Sequence, residues 1–79
     1  MRKKENQYPN LSSEMSRFNI TPDDIATVIG KIVTNVRAKL RGDYAFSLDE
    51  SCKIRDYFNE KYGTAFTIDY LFSTEPIVV

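Results

Sequence analysis

Residues Thr21 to Gly42, TPDDIATVIGKIVTNVRAKLRG, constrain the chain more than any other stretch, because they encode two helices with a very short connection between them. Thr21 suits an N-cap, where its hydroxyl accepts from an otherwise unpaired N–H of the first turn. Pro22 stands at the first helical position, where its missing N–H costs nothing, and Asp23 and Asp24 place carboxylates at the positive end of the helix dipole. Ile25, Ala26 and Ile29 supply one apolar face, and Gly30 can take the left-handed conformation that ends a helix and turns the chain. Val33, Val36 and Leu40 then recur at helical spacing, while Lys31, Arg37, Lys39 and Arg41 add four positive charges with no acid between them. A helix that is basic on its open side therefore follows the turn directly.

The chain has 79 residues, enough for one domain, and at this size only about 60–65% of the surface exposed by the unfolded form is buried on folding. Eleven basic and eleven acidic residues cancel, so the net charge argues neither for nor against a polyanionic partner. The distribution of charge is more informative. The first ten residues are net positive, Lys31 to Arg41 is strongly positive, and Asp43 to Glu60 is net negative, so one face attracts phosphate while another repels it.

With no histidine and a single cysteine, the chain lacks the means for Cys/His zinc sites, internal disulfides and nucleophiles activated by a histidine base. Asp49 and Glu50 fit a helix start, and Asp56 and Glu60 share a face with Lys53 and Arg55, which reads as surface charge pairing and not as an acid pair for catalysis or metal. No catalytic, metal or cofactor site is expected. No apolar run approaches the roughly 18 residues of a membrane span, and MRKKENQYPN lacks the apolar core of a signal peptide. A cytoplasmic protein is expected, with Cys52 reduced and packed as a small side chain.

Residues 1–8 read as a flexible basic tail, and Leu11, Met15 and Phe18 mark a first short helix from Pro9 to Phe18. After Gly42 a loop carries Tyr44 and Phe46, with Phe46 tucked into the core. Ser47 and Glu50 form a capping box, and Leu48, Ser51, Ile54, Arg55, Phe58 and Tyr62 mark one side of a fourth helix that ends at Gly63. Thr67 opens a last short element in which Ile68, Leu71 and Phe72 close the core. Residues 73–79 form a tail whose apolar, β-prone IVV end either contacts a partner subunit or frays.

An all-α arrangement of five short helices, with the second and third joined by a tight turn, matches a helix-turn-helix whose second member enters the major groove. In residues, the stretch from Asn10 to Phe72 resembles the Cro/repressor-type helix-turn-helix family of phage and bacterial regulators. The resemblance rests on Thr21, Asp23, Asp24, Ile25, Ala26, Ile29 and Gly30, then Val36, Lys39, Leu40, Arg41 and Gly42, and on the later FSLDESCKIRDYF and IDYLF. It implies a compact five-helix lambda-repressor-like domain over residues 9–72, with its helix-turn-helix at 21–42. Three positions depart from the pattern. Pro22 stands where members carry a glutamine that steadies helix and phosphate, Lys31 occupies the apolar plug of the turn, and Ile32 replaces the small hydroxyl residue that caps the recognition helix. Ile32 is the candidate to turn inward as the plug; the helix start is then fixed only to within one residue, with Val33 either exposed or buried.

The resemblance places Val33, Thr34, Arg37 and Ala38 toward base edges, with Val36 and Leu40 inward. Arginine grips guanine O6 and N7 with two hydrogen bonds, and a threonine or valine methyl packs on a thymine methyl. Lys31, Asn35, Lys39, Arg41 and Tyr44 are the candidates for phosphate, although the Tyr44 ring could equally sit on the core edge. The implied function is a phage or prophage Cro-like transcriptional repressor, nucleoid-associated in a bacterial cell, binding a palindromic double-stranded DNA operator as a homodimer. Its half-sites would lie roughly 34 Å apart, and no small-molecule effector is expected. About eight phosphate contacts per dimer would give a log-log salt slope near −7. The alternative is a protein-interaction module, or an antirepressor-type partner, on the same fold, with Ile32, Val33 and the IVV tail as its contacts.

Overall fold

The computed structural model describes residues 7–75 and shows an all-α domain. Among these residues the helices are α1 (Pro9–Arg17), α2 (Pro22–Ile29), α3 (Val33–Arg41), α4 (Leu48–Tyr62) and α5 (Ile68–Leu71). None is long and apolar enough to cross a membrane.

The two strongest helix starts are built as their residues dictate. Thr21 and Asp24 exchange hydrogen bonds of 3.2 and 2.9 Å, and Ser47 and Glu50 exchange bonds of 3.1 and 3.0 Å, so each pair satisfies two N–H groups that the helix itself leaves unpaired. Gly30 ends α2 at φ 71°, ψ 36°, and nothing lies within 4 Å of where its Cβ would be. The demand for glycine there is conformational. At Gly42, which ends α3 at φ 92°, a Cβ would also meet the Gln7 side chain at 2.8 Å. That position needs glycine for two reasons.

The core takes Leu11 and Met15 from α1, Ile25, Ala26 and Ile29 from α2, Val36 and Leu40 from α3, Ile54 and Phe58 from α4, and Leu71 from α5, with Tyr8 and Ile20 from the connections. Helix α2 packs on both α3 and α4, while α5 closes against α1 and α4. Aromatic rings fill the periphery. Phe18 stacks on Tyr62 with centroids 4.5 Å apart, Phe58 meets Phe66 at 5.6 Å, and Phe46 and Phe72 each lie edge-on or tilted to Tyr8 at 5.7 and 5.6 Å. Such pairs add to the area term, which matters in a domain with so little interior.

Short α5 is held by polar groups that reach across the fold. The Asn10 amide donates to the Tyr70 carbonyl at 2.9 Å, and the Tyr70 hydroxyl donates to the buried Glu14 carboxylate at 2.7 Å. Burial and that acceptor both raise the Tyr70 pKa, with the hydrogen bond to Glu14 the larger cause. Asn59 ties down the loop after α4, accepting from the Phe66 N–H and the Thr64 hydroxyl and donating to the Phe66 carbonyl.

Two expectations are corrected here. Residues 1–8 are not one tail: Tyr8 is buried as the N-cap of α1, and the Gln7 N–H donates to the Leu40 carbonyl, so the chain is anchored to α3 before α1 begins. The remainder of the expected basic arm, residues 1–6, and the IVV end lie outside the described residues. Leu48 is not on the inner face of α4 but 73% exposed, because it is the first residue of the helix and precedes the turn that meets the core. Phe58→Ala should therefore destabilise the domain by about 3–5 kcal/mol, and Leu48→Ala by less than about 0.5 kcal/mol, as read from urea midpoints.

Candidate nucleic-acid interface

Helices α2 and α3 meet through Gly30, Lys31 and Ile32, and the Lys31 N–H closes the turn on the Ala26 carbonyl at 3.0 Å. Ile32 is the N-cap of α3, in extended conformation at φ −81°, ψ 152°, with no side-chain hydrogen bond to cap the helix. Its first turn also carries no acid, in contrast with α2 and α4. The start of α3 is thus left with a positive dipole end and Lys31 beside it.

The expectation that Ile32 turns inward as the plug does not hold. Its side chain is 65% exposed, whereas Val33 is half-buried against the core. The reason is the extended N-cap: with the helix beginning at Val33, the side chains of Val33, Val36 and Leu40 fall on one stripe, and Ile32 lies outside it. The start of the helix is fixed by that stripe.

Burial then sorts the expected base-reading set. Thr34 and Arg37 are exposed on α3, Val33 is occupied in packing, and Ala38 is only 9% exposed. Ala38 lies where the chain closes back on the helix end, its carbonyl accepting from the Asp43 N–H at 2.9 Å. Ala38 is therefore corrected as a base contact, and Val33 keeps only part of its side chain exposed.

Charge pairing sorts the expected phosphate set in the same way. The Lys39 ammonium lies 2.7 Å from both carboxylate oxygens of Glu50, its side chain is 17% exposed, and it stands 5.9 Å from the centre of the Phe46 ring. Lys39 is thus a link between α3 and α4 and not a free cation. Arg41 donates from Nε and Nη2 to one oxygen of Asp43 at 3.2 and 2.9 Å, an exposed pair that partly neutralises it. Lys31 and Arg37 are exposed, and among the described residues neither has an ion-pair partner. Asn35 is exposed, and with Lys39 and Tyr44 it lines an open hollow of about 300 Å³. The Tyr44 ring is 68% exposed, so it does not sit on the core edge.

The acids of α4 do not converge. Asp49 pairs with Lys53 at 3.2 Å and Asp56 with Arg55 at 3.0 Å, and among the described residues no three potential metal ligands cluster. Glu50 is the residue whose second role escaped the sequence. Its place in the capping box was legible from the Ser47 spacing, but its pairing with Lys39 spans a loop, and no local pattern announces that. Searches against family models, curated proteins and solved structures find no match to this chain.

Burial pushes the Glu50 carboxyl up, but hydrogen bonds from Lys39 and Ser47 and the nearby charges of Lys39 and Lys31 outweigh it and hold the group below its ordinary value of 4.5. A depressed carboxylate contributes stability that is complete above that ordinary value and is lost as pH falls through the folded-state value. Glu50→Gln should therefore cost about 1–3 kcal/mol at neutral pH, because Lys39 is left half-buried without its counter-charge. Urea midpoints of the two proteins should converge as pH falls below the ordinary carboxylate value and through the lower folded-state one. A gap that stays constant down to the acid limit would mean that the ion pair contributes nothing.

Proposed function

We propose that the domain binds duplex DNA sequence-specifically and acts as a transcriptional regulator of the Cro-like repressor kind, with α3 in the major groove. The observation that carries this reading is the outer face of α3: exposed Thr34 and Arg37, with Lys31, which has no ion-pair partner among the described residues, at an acid-free helix start that directly follows the turn from α2. Arg37 grips guanine through its two parallel donors, and Thr34 contacts the adjacent base. Lys31 at the helix start, Asn35 and Tyr44 on the neighbouring flank, and Arg41 when it exchanges Asp43 for phosphate hold the backbone. Repression follows from occupying a promoter. One α3 covers few base pairs, so two subunits sit on half-sites about 34 Å apart in an inverted repeat.

The count of free cations lowers the electrostatic share of binding relative to the slope of −7 that the sequence suggests. Lys39 is committed to Glu50, and Arg41 begins paired with Asp43. Per dimer, Lys31→Ala should reduce the salt slope by about two, one released counterion for each subunit, with equal effect on all sequences. Arg37→Ala should instead weaken binding to the preferred sequence by roughly 10- to 100-fold and relax the preference at one base pair. Selection of bound duplexes from a random pool tests the reading as a whole. An enriched inverted repeat supports it, and a pool that returns with no enriched sequence rejects it.

A second reading, a module that binds another protein, is favoured by the exposure of Ile32, Tyr44 and Leu48. It predicts no salt-dependent duplex binding, and loss of partner capture when these three side chains are made polar.

A further inference from the structure

Ile32 is an unusual residue for its place. At an N-cap, serine or threonine would supply the hydrogen bond that α3 lacks, so isoleucine gives up helix stability there. Among the described residues no core contact compensates for this: the side chain is 65% exposed and stands outside the inward stripe formed by Val33, Val36 and Leu40. Its sequence neighbours Lys31, Thr34 and Asn35 are exposed and polar. The apolar target at this point is therefore small. A protein interface of ordinary size needs roughly 800 Å² on each partner with an apolar centre, far more than one isoleucine beside exposed Lys31, Thr34 and Asn35 supplies.

The major-groove edge of DNA presents a target of the right size. Among the four base-pair orientations, the single apolar group there is the 5-methyl of thymine, and every other edge position is a donor, an acceptor or a ring hydrogen. Lys31, directly before Ile32, is exposed and has no ion-pair partner among the described residues, which leaves its charge for a phosphate beside such a groove. We infer that Ile32 packs on a thymine methyl, so that the preferred half-site carries thymine next to the base pair read by Arg37 and Thr34. This inference rests on the DNA-binding reading and adds to it a class of sequence. It also reassigns the methyl contact: Val33, the other apolar candidate at the helix start, is engaged with the core.

The test uses the full chain and the duplex it selects, with each thymine of the half-site replaced in turn by deoxyuridine, which differs only in lacking the 5-methyl. The protein variant is Ile32→Ser, which removes the apolar contact while supplying the missing N-cap, so loss of folding does not confuse the result. One deoxyuridine position should weaken binding by the unsubstituted chain about fourfold per half-site, the value of burying one methyl. Ile32→Ser should bind the thymine and deoxyuridine duplexes alike. Equal binding of both duplexes by the unsubstituted chain at every position overturns the inference and leaves the DNA-binding reading standing. Full thymine discrimination by Ile32→Ser, or self-association that this variant abolishes while discrimination persists, overturns it too. Failure of the unsubstituted chain to bind any duplex overturns both.

Discussion

The pair between Lys39 and Glu50 is the interaction on which the rest of this structure depends most. It joins the outer helix of the candidate site to the first turn of the longest helix, with both carboxylate oxygens 2.7 Å from the ammonium. The same carboxylate receives the Ser47 N–H, so one side chain begins α4 and fixes α3 against it. A half-buried pair of this kind gains little over an apolar contact, yet breaking it strands a charge away from water. Its effect is one of placement. With Lys39 drawn toward α4, the positive charge that remains outward on this part of the surface is that of Lys31 and Arg37, with Arg41 held by Asp43.

That placement changes what the surface can do. A helix carrying Arg37, Lys39 and Arg41 in succession looks like a general phosphate-binding surface, whose attraction is broad and steeply salt-dependent. After pairing, the groups left exposed on this helix and its start include a guanidinium, a hydroxyl one turn away and an ammonium at the helix start. In the DNA-binding reading such a surface relies on shape and base contacts more than on charge. The uncapped start of α3 fits the same logic, since it presents an apolar group where stability alone would favour serine or threonine.

The small interior sets the remaining constraints. Phe18, Phe46, Phe66, Tyr70 and Phe72 are only partly buried, yet they close the domain edge by ring contacts. Helix α5 has four residues and no stability of its own. It persists because Leu71 is fully buried and because Asn10 and Glu14 hold Tyr70 from the far end of the chain. Anchoring of Gln7 on Leu40 and against Gly42 does the same for the entry into α1.

Taken alone, the sequence determined the features that arise within a few residues of one another. The capping boxes at Thr21 and Ser47, the left-handed glycines 30 and 42, the apolar stripes of α2 and α3 and the tucked Phe46 are all local consequences of residue type and spacing, and the helices lie where those signals put them. The tertiary structure decided which side chains of α3 remain available. Lys39 was lost to a carboxylate eleven positions away, Ala38 to the closing chain and Val33 to the core, while Ile32 and Leu48 were left in solvent. Periodicity assigns a side chain to a face of its own helix, but whether that face meets water, a counter-charge or another element depends on chain segments that the local pattern does not contain.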